Sequence, residues 1–411
     1  MKWQVGGALL AALLAAPHAQ AQPVSFDDAL HAARHNQPML DAGALRVAGK
    51  REAIAASDEL PDPRLRAGIA NLPVSGPVAF ELDRQLPTQV SLGVEQEFPN
   101  LAKRRARYGL AASEVRLAEA RLGLAERSVE IATGMAWVEL HYAQRKLDLA
   151  RAALEDLRKL VPVANSAVAS GSARPAHSLA LRKDLLGVED AITSIEVERD
   201  AAQAMLARYI AVIDPIAEGA APEAAIDAGS LKQMLDLNPE LKFADAAVEG
   251  AEAGVRLARA EKRPDFGVSV NYGRRDDAFG DVVSVMGSVT LPIFAGRRQE
   301  PRIAAAEAEA AAASAEREDR VRALEARLEA DLAQWRGADH QWRRAREELL
   351  PLARERAELE TASFAAGRAS LFDVVTAKSA LLLLELDILE REAATVSAAV
   401  RLKLGYGEDG L

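Results

Sequence analysis

The chain contains no cysteine among its 411 residues. This absence excludes disulfide bridges, thiolate metal sites and a cysteine that could accept a lipid. The fold must therefore be held together by noncovalent contacts, and we expect no lipid anchor.

Aromatic residues are also scarce, at 4% of the sequence, and the net charge of −10 leaves no basic surplus. Few aromatic side chains, abundant alanine and 27% charged residues are typical of long helices rather than of an ordinary compact core. The acidic balance argues against a nucleic-acid partner. Beyond residue 21, no apolar run reaches the about 18 residues that a transmembrane helix needs.

The first 21 residues have the pattern of an export signal. Lys2 provides a basic start, an apolar run covers residues 5–16, and Ala19-Gln20-Ala21 matches a signal-peptidase site. We expect cleavage after Ala21, which would place the mature protein outside the cytoplasm.

Four short segments alternate apolar and polar residues, the pattern of strands with one apolar face. Leu65, Ala67 and Ile69 illustrate it in the first segment. The predicted strands cover about 63–72, 88–98, 264–273 and 282–292.

Between the strands the period changes to steps of three and four, which predicts long helices of the coiled-coil type. No proline interrupts residues 100–161, and at about 1.5 Å of rise per residue this helix would form a rod of roughly 90 Å. Further helices are predicted over about 25–58 and 230–262. A long helix is predicted to open at Pro292 to Arg298 and to run to about 365, and two more helices are predicted to end at about 211 and about 404.

The two halves of the chain repeat the same plan. FPNLAKRR at 98–105 matches LPIFAGRR at 291–298, an offset of 193 residues (292 − 99), and turns at Gly171 and Gly367 are offset by 196 (367 − 171). The sequence therefore predicts a duplication: residues 22–213 and 230–411, joined by a connector at 214–229, each with a helix, two strands and a long helical hairpin.

Four strands are too few to close a barrel, so the chain is expected to oligomerise. In an exported protein, an apolar-out and polar-in alternation is typical of an outer-membrane barrel. Long helices with polar faces would then continue the pore as a water-filled tube. The alternative outside the channel class is a structural coiled-coil protein of the envelope.

The sequence is similar to the outer-membrane efflux protein family, the TolC-like channels, and within it to the heavy-metal branch typified by CzcC. The segments that carry the resemblance are PDP at 61–63, IANLPV at 69–74, QEFP at 96–99 with Lys103-Arg104, LPIFAGR at 291–297 and GRASLFDV at 367–374. The resemblance implies a mainly α fold with a small β part: a homotrimer with a twelve-stranded barrel, four strands per chain, continued by an α-helical periplasmic barrel. It also implies docking to a periplasmic adaptor and an inner-membrane pump.

The resemblance also suggests where functional residues lie. It implies a periplasmic gate at Asp373, with Thr376 one turn on and His177 in the matching position of the first repeat. The hairpin tips that would dock the adaptor are Gly171, Ala173, Gly367 and Ala369. The strand-to-helix corners are Pro99, Pro292 and Gly296. Two departures stand out. Many relatives have Pro-Gly-Lys at the first corner, where this chain has Asn100-Leu101-Ala102-Lys103. Many relatives of the metal branch are lipoproteins, whereas this sequence has no cysteine to accept a lipid.

No motif of an enzyme is present, since the sequence has neither a glycine-rich phosphate loop, nor GxSxG, nor HExxH. His31 and His35 are four residues apart and so lie on one helix face, but the sequence shows no third metal ligand for them. Trp335 and Trp342 are expected to be packing anchors. We expect no cofactor. The expected cargo of the channel is heavy-metal cations, with multidrug efflux and type I protein secretion as alternatives.

Overall fold

The computed structural model describes residues 22–82, 88–171 and 174–407; the predicted signal segment lies outside them. The chain is mainly helical with a small β part, as predicted. In chain order its elements are β1 (Gln22–Val24), α1 (Phe26–His35), α2 (Pro38–Ser57), β2 (Arg64–Ala70), β3 (Gln89–Phe98), α3 (Leu101–Arg158), α4 (Val161–Ala169), α5 (Pro175–Ile210), β4 (Pro215–Ala217), α6 (Ala228–Gln233), α7 (Pro239–Ala260), β5 (Asp265–Arg274), β6 (Val282–Thr290), α8 (Ala295–Arg344), α9 (Leu350–Ala365) and α10 (Leu371–Tyr406).

The chain forms two compact units, and each draws on both sequence repeats. The strand unit comprises residues 38–128 and 228–330, and the hairpin unit comprises residues 22–37, 129–227 and 331–407. None of the described helices has a stretch both long and apolar enough to span a bilayer.

The strand unit contains one sheet with the order β2-β3-β5-β6, in which all neighbours are antiparallel. Its central pair, β3 and β5, joins the two repeats. Phe98 at the end of β3 pairs with Phe266, and Thr290 at the end of β6 pairs with Asp265. The two strands that lead into long helices, β3 and β6, therefore finish at the same end of the sheet.

The helices of the strand unit are joined by ion pairs between different elements. Lys50 of α2 lies 2.7 Å from Glu114 of α3, and Arg327 of α8 lies 2.7 Å from Glu240 of α7. Only a minority of the described ion pairs join residues four apart on one helix. Since the pairs are largely exposed, each contributes at most about 1 kcal/mol to stability.

The hairpin unit has the larger apolar core. Trp137, Leu140 and Tyr142 of α3 are almost fully buried and pack with Leu206 and Ile210 of α5. Val400 and Leu404 of α10 complete the cluster. Trp137 and Leu140 are three residues apart, and the pairs on α5 and α10 are each four residues apart, so each helix presents an apolar stripe to the others.

A second, two-stranded sheet in the hairpin unit was not predicted. β1 pairs with β4 in parallel, from Gln22 opposite Pro215 to Val24 opposite Ala217. Two side chains of α3 bind it: Trp137 Nε1 donates to Val24 O at 2.8 Å, and Gln144 Oε1 accepts from Ala217 N at 3.1 Å. The connector at 214–229 thus contains a strand that bonds the N-terminal segment.

Two predicted helices are interrupted in the structure, and a proline explains each case. The helix expected over 25–58 is split at Gln37 because Pro38 begins α2 and cannot donate to α1. The helix expected from 298 to 365 passes through a π-helical turn at Ala345–Leu349 immediately before Pro351. The missing N–H of Pro351 removes an i→i−4 bond, and the wider turn accommodates the loss.

Candidate functional site

One face of the four-stranded sheet is apolar and open. The pairing register aligns Leu65, Val94, Val270 and Val285 in one row across all four strands. Between 46% and 71% of each of these side chains is exposed in the single chain. A contiguous apolar surface of this kind marks a membrane or protein interface.

The other face of the sheet is polar. Two ion pairs link β2 to β3 on this face: Arg64 with Glu97, at 3.1 Å, and Arg66 with Glu95. Small residues make room for polar neighbours, as at Gly93, where a Cβ would lie 1.9 Å from Asn271 Oδ1. The face therefore suits contact with water, as the alternating pattern predicts.

β2 and β6 form the two edges of this sheet, and among the described residues neither has a neighbour on its outer side. Long edge strands present unpaired N–H and C=O groups and readily accept another strand. The sheet is therefore built to be continued by further strands.

The first strand-to-helix corner contains Pro99 and is stabilised by Asn100. Asn100 Oδ1 accepts from Lys103 N at 2.8 Å and so caps α3, while Asn100 N and Nδ2 donate to Asp265 Oδ1 at 2.8 and 2.9 Å. Lys103 also pairs with Asp265. Asn100 thus caps α3 and ties the corner to the start of β5.

The second corner differs in one detail from the prediction. Pro292 lies in the link between Thr290 and α8, but Gly296 is the second residue of α8 and not part of the turn. A Cβ at Gly296 would meet only Glu300 Oε2, at 3.6 Å, which is an ordinary contact. The corner therefore does not require glycine at this position.

The predicted hairpin tips are left-handed turns that end helices. Gly171 has φ +75° and Gly367 has φ +71°, a conformation that favours glycine. Gly367 N donates to Phe364 O at 2.9 Å and Arg368 N donates to Ser363 O at 2.8 Å, a Schellman cap. Ala369 N also contacts Ser363 O, at 3.3 Å. Ala173 lies outside the described residues.

The structure brings two of the three predicted gate residues together at the start of α5 and α10. The His177 ring stacks on Phe372, with ring centroids 5.6 Å apart, and the neighbouring residue is Asp373. Thr376 lies exposed one turn further along α10. Sequence reasoning missed Phe372, although it stands directly before Asp373.

Asp373 also caps its own helix. Its Oδ2 accepts from Ser370 N at 2.9 Å and from Ser370 Oγ at 2.6 Å, while Asp373 N donates to Ser370 Oγ at 3.3 Å. These hydrogen bonds from Ser370, with a smaller effect of His177, lower the pKa of the Asp373 carboxyl. Asp373 therefore stays ionised to a lower pH than an ordinary aspartate.

The two hairpins of the hairpin unit pack against each other beside these turns. Ala164 of α4 and Leu181 of α5 form a buried cluster with Leu371 and Val375 of α10. This contact holds the start of α10 against α5, and the His177 and Phe372 rings lie next to this buried cluster.

The two tryptophans singled out in the sequence, Trp335 and Trp342, both contact other residues of the fold. Trp335 Nε1 donates to Ala224 O at 2.9 Å, and Arg346 lies over the Trp342 ring at 5.4 Å. Across the described parts of the chain, no group of three or more histidine, aspartate or glutamate side chains is arranged to hold a metal ion.

The family model described as "Outer membrane efflux protein" matches residues 230–408, which lie within the predicted second repeat. No curated protein matches the chain in sequence.

Solved structures share the fold over nearly the whole chain. CusC superposes with a TM-score of 0.77 at 16% identity, covering 93% of this chain and 92% of CusC. A membrane protein from Pseudomonas aeruginosa gives 0.80 at 17% identity, with 93% and 92% covered. The outer membrane protein VceC from Vibrio cholerae gives 0.72 at 20% identity, with 93% and 97% covered. The fold is that of the TolC-like channels.

Proposed function

We propose that this chain is the outer-membrane channel of a tripartite efflux system, a passive conduit from the periplasm to the outside. The observation that carries the proposal is the four-stranded sheet with one exposed apolar face, one polar face and two open edges. The match of the second repeat to the efflux family and the shared fold support it. The apolar face would meet lipid and the polar face would line a water-filled pore.

The open edges favour a ring of three copies. If β6 of one copy pairs with β2 of the next, three copies give a closed barrel of about twelve strands, wide enough for an aqueous channel. Native mass spectrometry of the mature protein extracted in detergent should find three chains. A stable monomer with folded strands would contradict the proposal and favour a structural coiled-coil protein.

For the cargo, the resemblance to the CzcC-like branch favours heavy-metal cations over drugs or secreted proteins. A strain lacking the chain should lose tolerance to metal salts and regain it on complementation, with drug tolerance unchanged. If the strain loses only drug tolerance, multidrug efflux replaces metal export as the proposed function. If it loses only a secreted protein, type I protein secretion does.

Partner docking is proposed at the hairpin tips around Gly171 and Gly367, where periplasmic adaptor helices would bind and connect the channel to an inner-membrane pump. Among the described residues, and chain neighbours aside, no atom lies within 4 Å of a Cβ placed at either glycine, so no other described element covers these two positions. Replacing Gly367 with tryptophan should block this surface and lower efflux several-fold.

The control for Gly367→Trp is Gly367→Ala. Both variants carry the same backbone penalty of about 1–2 kcal/mol for a left-handed residue, but only tryptophan adds bulk. Trimers should remain in the membrane in both cases. Equal efflux by the two variants would exclude docking at this turn.

At the gate we propose that three Asp373 carboxylates surround a narrow pore and favour cations. Asp373→Asn should lower cation selectivity and block by multivalent cations in planar-bilayer recordings. The amide oxygen of asparagine can still accept from Ser370, so the change removes the charge while keeping the cap. An unchanged selectivity would leave Asp373 with its capping role alone.

A further inference from the structure

Two histidines on α1 lie side by side with their rings close together. His31 and His35 lie four residues apart, on one face of the helix, and both are exposed. Their ring centroids are 4.5 Å apart and the rings are inclined by 39°. A single cation between them could therefore be reached by both imidazoles.

The hydrogen bond made by the His35 ring leaves its Nε2 atom available to bind a metal ion. His35 Nδ1 lies 2.9 Å from the backbone oxygen of His31, which can only accept, so Nδ1 carries the proton. In the neutral ring Nε2 then holds the lone pair. A metal-binding histidine commonly donates its other N–H to a carbonyl, which fixes the tautomer and the ring orientation.

The charges around the pair do not oppose a cation. Arg34 stands between the two histidines in sequence, but its Nε lies 2.6 Å from Glu130 Oε1, so its charge is compensated. His35 is the last residue of α1, and the C-terminal end of a helix dipole attracts positive charge. Asp27 lies one turn before His31 on the same side of the helix and adds negative potential.

We propose that His31 and His35 bind a divalent transition-metal cation, with Cu²⁺ held most tightly. Imidazole nitrogen is a preferred ligand of Cu²⁺, Ni²⁺ and Zn²⁺, and affinity for divalent ions in this series peaks at Cu²⁺. Water would complete the coordination sphere. The site is a property of the chain itself and does not depend on the cargo of the channel.

The test is a Cu²⁺ titration of the full mature protein in detergent, purified without a histidine tag and freed of metal with a chelator. Calorimetry together with copper electron paramagnetic resonance should show one nitrogen-ligated site per chain. His31→Ala and His35→Ala should each weaken this site at least tenfold. The matched control His340→Ala should retain it.

A rescue experiment tests the spacing. Asp27→His combined with His35→Ala recreates a pair four residues apart, at 27 and 31, and should restore the bound equivalent of Cu²⁺. Identical titrations for the unmodified chain and both alanine variants would overturn the proposal, and so would a failure of the unmodified chain to bind. Because the readout is binding, a negative result leaves the proposed channel function unaffected.

Discussion

Replacing Val285 with arginine is expected to remove the protein from the outer membrane. Val285 lies in the middle of β6, on the apolar face, paired with Val270 and 69% exposed in the single chain. An arginine facing lipid near the bilayer midplane costs about 2–4 kcal/mol. With three copies in one barrel the cost becomes about 6–12 kcal/mol, comparable to the stability of a whole domain. Membrane fractionation should find the variant absent from the outer membrane or degraded.

The neighbouring residue provides the control. Ser284 precedes Val285 on β6, faces the polar side of the sheet and pairs with Asn271. Ser284→Arg adds the same side chain to the proposed pore, where water solvates it, so this variant should reach the outer membrane as trimers. If both variants insert equally well, the apolar face does not contact lipid and the proposed barrel is wrong.

Truncation of Trp137 to alanine should give the largest loss of stability within the hairpin unit. The side chain is fully buried, its ring meets Phe26 edge-on at 5.5 Å, and it stacks on His141 at 4.9 Å. Replacing a buried tryptophan by alanine costs about 3–5 kcal/mol because a cavity remains. Thermal unfolding of the solubilised protein, followed by circular dichroism, should show a clearly lowered midpoint.

Two further variants separate the causes. Trp137→Phe keeps an aromatic ring but loses the hydrogen bond to Val24 O. This oxygen still accepts from Glu218 N at 3.1 Å. The loss of stability should therefore fall to about 1 kcal/mol for the hydrogen bond, plus a contribution from the lost side-chain volume. Trp342→Ala removes an incompletely buried ring beside Arg346 and should change the midpoint little. Equal losses at positions 137 and 342 would show that burial does not set the effect.

The strands show that the face on which a side chain lies follows from the local sequence, whereas the pairing of strands does not. Alternation in the sequence assigns Leu65 and Val285 to the apolar face without a structure, because side chains on a strand alternate between its faces. The register that places them in one row depends on pairing between β3 and β5, whose partners Phe98 and Phe266 are 168 residues apart (266 − 98). No local pattern encodes a pairing over that distance.

The sequence allows two roles for Asp373. Ser370 and Asp373 are spaced as in a capping box, and the family resemblance implies a gate at the same residue. The structure shows the cap directly. The gate role needs three chains and stays a proposal, because a single chain contains no pore axis.

By itself the sequence determined the helix and strand types and the faces of the four strands, and it predicted the two-fold repeat, since these follow from periodicity and from the residues that break it. Only the tertiary structure decided which strands are neighbours, that β1 and β4 form a second sheet, and that His177 meets Phe372. Three-residue strands are too short to show a period, and contacts between distant segments arise from the packing of whole helices. The same distinction explains why the turn at Gly367 was located from sequence while the cluster beneath it, from Ala164 to Val375, was not.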